Sequence, residues 1–231
     1  MTDRRLKVRM LLTALTTLFC QLNTIYAQED PEYRLEIGAG AGTITYLGDY
    51  NSNLLKGAQP WFTAVAKYKM NPRMAIALNI GYGRLKGNSG NESTWYPQGR
   101  YEFATKMIDA GLRYEYNFWP YGTGREYRGA QRLSPFIAFG LGGIYHGGRE
   151  KGVSVDIPLG AGIKYKVADR LNLTAEWRMH FALTDKLDGM EDPYGIKSSG
   201  LFKNTDGFSI IQASLTYDLW EKCKTCHNDR Y

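Results

Sequence analysis

After its first twenty or so residues the sequence has no apolar run long enough to cross a bilayer as a helix. Mean hydropathy is −0.41 and hydrophobic residues fill 43% of 231 positions, which is too polar for a bundle of membrane helices. Charge of one sign is also weak. Lys and Arg number 29 against 23 Asp and Glu, for a formal +6. Residues 1–27 carry four of the basic side chains and one acidic one, so +3 remains beyond them. That is little reason to expect a nucleic-acid partner. Histidine and cysteine are scarce, three of each, and neither a serine elbow nor an H-E-x-x-H pattern occurs.

What is present is glycine, tyrosine and a period of two. Val153, Val155, Ile157, Leu159, Ala161, Ile163, Tyr165 and Val167 take the odd positions of one segment. Ser154, Asp156, Pro158, Gly160, Gly162, Lys164 and Lys166 take the even ones. After Ala168-Asp169-Arg170 the pattern resumes, with Leu171, Leu173, Ala175, Trp177, Met179, Phe181 and Leu183 alternating against Asn172, Thr174, Glu176, Arg178 and His180. Such alternation means extended strands with one apolar and one polar face. Strands of a soluble sandwich are usually about 5–6 residues, whereas about 9–11 tilted residues span a bilayer. The segment therefore reads as a transmembrane hairpin, apolar side to lipid and polar side to a lumen. Twenty-six glycines and seventeen tyrosines suit a narrow lumen and aromatic belts at the interfaces.

The N-terminus supplies a matching address. Arg4, Arg5, Lys7 and Arg9 precede the apolar run from Met10 to Phe19, and Ile25-Tyr26-Ala27 ends in a small residue. This predicts a secretory signal over 1–27, cleaved after Ala27. A lipoprotein signal at Cys20 is disfavoured by bulky Phe19 directly before it. The barrel is expected over 28–220, and a periplasmic tail containing Cys223 and Cys226 over 221–231.

Six more alternating segments are found. They run from Tyr33 to Tyr46, from about Pro60 to Met70, from Met74 through Tyr82, from Ile108 to Phe118, from Ile137 to His146, and from Ile210 to Leu219. Met74 falls on the outward parity of its segment. The total of eight predicts an all-β, eight-stranded antiparallel outer-membrane barrel. With both termini in the periplasm, the connections after the second, fourth and sixth strands are periplasmic. Tyr68, Tyr116, Phe118, Tyr165, Tyr217 and Trp220 then form an aromatic girdle on that side.

Energetics fix the faces. Arg or Lys at the lipid midplane costs roughly 2–4 kcal/mol, and a one-residue slip turns every side chain over. Glu36, Asp109, Glu115, Asp156, Glu176 and Asp218 are therefore expected in the lumen with Lys67, Arg113, Lys164 and Arg178. A paired polar core that fills the lumen follows, and no pore is expected.

Sharper chemistry is weighed against plainer readings. Cys223-Lys224-Thr225-Cys226-His227 has the spacing of c-type haem attachment. Only Asn228 to Tyr231 remain beyond it to enclose a haem. A disulfide between Cys223 and Cys226 in the oxidising periplasm is the plainer option, and a metal would need ligands from a partner. His146 and His180 fall on the lumen face, where membership of a polar network is favoured over catalysis. Asp185, Asp188, Glu191 and Asp192 do not have EF-hand spacing and read as an exposed acidic loop. No catalytic residue, metal or cofactor is expected. Arg125, Tyr127, Arg128 and Arg132 stand in the long connector Trp119–Leu133 and are candidates for protein contact, together with Cys223 and Cys226.

Several segments together resemble the PorG family, outer-membrane barrels associated with the type IX protein secretion system. They are Tyr33-Arg34-Leu35-Glu36-Ile37-Gly38, Tyr46-Leu47-Gly48-Asp49, Thr184-Asp185-Lys186-Leu187-Asp188, Asp192-Pro193-Tyr194 and the closing strand with its Cys223/Cys226 tail. The resemblance implies a non-enzymatic protein that ties a periplasmic ring of PorK-like and PorN-like subunits to the outer membrane. Two rivals are an OmpA- or OmpX-like structural or adhesive barrel and a lipid-modifying outer-membrane enzyme.

Overall fold

The computed structural model describes residues 31–47, 56–88, 102–123, 130–147, 151–183 and 207–221. The chain forms two units, Met1–Asp30 and Pro31–Tyr231, of which only the second contains described residues. The expected signal peptide, the acidic loop 185–192, Arg125, Tyr127, Arg128, Cys223, Cys226 and His227 lie outside them.

Eight strands close into one antiparallel barrel in which every strand pairs with its sequence neighbours and the last with the first. They are β1 (Tyr33–Leu47), β2 (Gln59–Asn71), β3 (Met74–Asn88), β4 (Glu102–Asn117), β5 (Leu133–Gly147), β6 (Lys151–Ala168), β7 (Leu171–Ala182) and β8 (Gly207–Glu221). Closure leaves no unpaired edge, as a backbone within lipid requires. The turns Asn71–Met74 and Ala168–Leu171 are tight, each with a register shift at its strand ends. We call the end carrying β2–β3, β4–β5 and β6–β7 the turn end and the opposite one the loop end.

The middle of the barrel follows the expected parity. Leu78, Leu112 and Leu141 form an outward row in register across β3, β4 and β5, at 43%, 58% and 64% exposure. Outward aromatics flank it, with Tyr82 and Tyr145 toward the loop end and Tyr68, Phe118, Tyr165 and Tyr217 toward the turn end. Trp220 has inward parity, but a left-handed φ of +56° turns it out, a conformation uncommon outside glycine. Met74 departs from its expected outward place. It is buried beside the β2–β3 turn, opposite Tyr116 in register.

Toward the loop end the polarity of the two faces reverses while the parity continues. Arg84, Lys86 and Lys106 point outward, and Leu85 and Met107 point in. β1 and β8 do the same, with Ile44, Tyr46, Phe208 and Ile210 inside. For this reason β3 and β4 run to Asn88 and from Glu102, well past the apolar-out pattern that marked them in the sequence. An outward surface beyond the hydrocarbon gains nothing from being apolar, so the apolar residues move inside as in a soluble barrel.

Candidate functional site

The interior is stacked in layers, each built from inward residues of several strands. Nearest the loop end, Ile44, Tyr46, Trp61, Leu85, Met107, Ile144, Ala182, Phe208 and Ile210 form an apolar plug. Phe103 packs on it and meets Tyr46 edge-on at 5.0 Å. The Trp61 ring lies so close over Gly81 that a Cβ there would fall among its atoms. The alternation predicts a paired polar core filling the lumen and does not reveal this apolar layer, because its residues alternate with polar outward ones.

Beneath the plug lie Asp109, Asp156 and His180, all buried. Asp156 Oδ2 and His180 Nδ1 are 2.5 Å apart, and the imidazole stacks on Phe208 at 4.3 Å. His146, on the inward face of β5, is 3% exposed.

The next layers form a continuous ionic network. Arg113 is bound to Glu176 through both carboxylate oxygens and donates to Asn79 Oδ1 at 3.0 Å. Arg178 donates to Gln212 Oε1 at 2.8 Å and lies 3.7 Å from Glu176. Glu115 accepts from Lys164 at 2.6 Å and lies 3.4 Å from Lys67, which is 3.7 Å from Glu36. Lys69 bridges Glu36 at 3.0 Å and Asp218 at 2.6 Å, and Lys166 holds the other Asp218 oxygen at 2.5 Å. Thr216 donates to Glu36 at 2.5 Å.

Eight of the ten residues expected as the lumen charge set therefore stand in one network, and Asp109 and Asp156 lie apart from its ion pairs. Lys69 and Lys166 complete it. Their inward parity was readable, but strand-end lysines are equally suited to reach headgroups, so only the closed geometry places them. Among the described residues four of the six lumen carboxylates are ion-paired to lysines and arginines in this network, and Asp109 and Asp156 are not.

At the turn end the β4–β5 connector folds across the opening. Tyr121 and Gln131 form a parallel bridge, and the Tyr121 amide donates to Pro72 O at 3.0 Å. The buried Tyr121 hydroxyl donates to Asn172 Oδ1 at 2.8 Å, and its ring faces the Lys69 and Lys166 ammoniums at 5.8 Å. Burial, together with the nearby Glu36 and Asp218 carboxylates, pushes its phenol pKa up. Thr123 is pinned by Glu32, its hydroxyl donating at 2.6 Å and its amide at 3.1 Å. Arg132 Nε donates to Thr123 O at 3.0 Å, which holds the connector while leaving the residue exposed.

Comparison with known proteins places this architecture. A family model described as outer membrane protein beta-barrel domain matches residues 11–217. Among solved structures, Neisserial surface protein A is similar at a TM-score of 0.50 and 14% identity, covering 80% of this chain and 97% of that one. The N-terminal β-barrel domain of Pseudomonas aeruginosa OprF gives 0.46 and 13%, over 81% and 99%. The outer membrane enzyme PagL gives 0.37 and 10%, over 80% and 99%. No curated protein matches the chain.

Proposed function

The chain belongs to the outer membrane protein beta-barrel domain family and so resides in the outer membrane; on that premise we propose that it is a non-enzymatic, PorG-like component of the type IX secretion system. In this reading it anchors the periplasmic ring of PorK-like and PorN-like subunits to the outer membrane. The filled lumen carries the proposal. Plug, ionic network and Tyr121 occupy the interior from end to end. Among the described residues the lumen is occupied by side chains, and what such a barrel offers other proteins is its ends. His146 and His180 are buried in that same interior, away from any lipid substrate, which supports a non-enzymatic role.

Short turns favour the periplasmic side of such barrels, and two of the three turn-end connections are tight, so we assign the turn end and both termini to the periplasm; the long β4–β5 connector and the short β5–β6 connection are the exceptions. The largest element at that end is the β4–β5 connector, secured to the barrel by Glu32, Thr123 and Arg132. Arg125, Tyr127, Arg128 and Arg132, with the Cys223/Cys226 tail, are the contact residues of this reading.

A photo-crosslinking side chain at Gln131 or Arg132 in the native cell should capture a ring subunit, and deletion of the protein should abolish type IX export. Normal export in the deletion strain, with no ring subunit recovered, refutes the role. That outcome would leave the OmpX-like structural or adhesive barrel.

A further inference from the structure

Two of the lumen carboxylates lack a cation of the protein's own. Asp109 on β4 and Asp156 on β6 are 2% and 0% exposed, yet among the described residues neither is ion-paired to a lysine or arginine. Glu36, Glu115, Glu176 and Asp218 each hold at least one. Asp109 Oδ1, Asp156 Oδ1 and His180 Nε2 are buried without a hydrogen-bond partner. The two orphaned oxygens converge on Gly142, where a Cβ would collide with Asp156 Oδ1 and stand 3.3 Å from Asp109 Oδ1. Glycine thus keeps open the space into which both carboxylates point. Leaving such oxygens unsatisfied is costly in a medium of low polarity.

We propose that Asp109, Asp156 and His180 form a site for a divalent cation that takes nitrogen and oxygen ligands, with zinc as its representative. One ligand atom from each side chain lies within 4.8 Å of the others. Zinc–ligand distances of about 2.0–2.2 Å place tetrahedral ligands roughly 3.3–3.6 Å apart, which needs side-chain rotation and no strand movement. A dication supplies the positive charge that neither carboxylate has within ion-pair distance of a lysine or arginine, and the imidazole is held in place by its stack on Phe208. The three ligands come from β4, β6 and β7, so the ion ties three strands together beneath the plug. The site rests on lumen geometry alone and is independent of what the barrel binds outside.

Cys223, Cys226 and His227 would compete for zinc, so the parent chain for the test carries Cys223→Ser, Cys226→Ser and His227→Ala. It is folded into detergent with zinc chloride, passed through gel filtration and assayed for metal by mass spectrometry. About one zinc per chain is expected, falling at least tenfold in Asp109→Asn, while heat-modifiable gel mobility reports a folded barrel in both. A zinc-edge absorption spectrum of the parent should show one imidazole with oxygen ligands, and it reads the site even where Asp109→Asn does not fold. Retention of no zinc by the folded parent would mean that a proton shared between the carboxylates satisfies them, which overturns the proposal. So would equal retention by folded Asp109→Asn, or a spectrum without imidazole.

Discussion

Removing either partner of the Arg113–Glu176 pair asks whether the lumen network holds the barrel together. Breaking a buried ion pair from one side costs about 3–5 kcal/mol, because the other charge stays buried and unmatched. The structure ranks the two choices. In Arg113→Met, Glu176 keeps Arg178 at 3.7 Å and Gln212 Nε2 at 3.3 Å, so the cost should sit near 3 kcal/mol. In Glu176→Leu, Arg113 retains only Glu115 at 3.7 Å and Asn79 at 3.0 Å, while Arg178 keeps only Gln212. Arg178 then has no carboxylate and Arg113 only the more distant Glu115, so the cost should approach about 5 kcal/mol. The double variant removes both charges and should cost about 2–3 kcal/mol less than the sum of the singles. Urea unfolding in phospholipid vesicles, followed by tryptophan fluorescence and heat-modifiable mobility, measures all four proteins. Single losses below about 1 kcal/mol that simply add would refute the reasoning. They would mean that the charges are solvated in place and that the lumen is wet.

Leu112→Arg places a guanidinium in the outward row at mid-height and should destabilise the barrel in vesicles by roughly 2–4 kcal/mol by urea unfolding. Trp61→Ala empties the largest member of the plug and should cost about 3–5 kcal/mol. Vesicles bearing it should stay impermeable to small sugars in a swelling assay, because the Arg113 layer still blocks the path. Tyr121 carries a pH signature. Its pKa is raised in the folded barrel, so its contribution is complete below the ordinary value of 10.0 and is lost as pH rises beyond it. Subtracting the stability–pH curve of Tyr121→Phe from that of the wild type should isolate this alkaline loss; identical curves above pH 10 would show the phenol to be solvent-exposed.

The sequence by itself determined strand number, the lipid-facing parity of each strand and the identity of most lumen charges. A bilayer punishes misplaced charge residue by residue, and that local penalty writes a period of two into the chain. Glu176 and Arg178 could face only inward, whatever the rest of the fold did. The plug was not legible, because Leu85 and Met107 obey the same parity as Asn79 and Asp109 but in another solvent environment. Where the hydrocarbon ends is a property of the assembled barrel. Nor could spacing reveal that Tyr121 closes the turn end, or that Asp109, Asp156 and His180 meet. Asp156 and His180 share the β6–β7 hairpin, but Asp109 lies on β4, beyond β5, and reaches them only across the curved interior of the closed sheet. Closure brings distant charges within a few ångströms in a medium that screens them poorly, and which of them find partners is decided there.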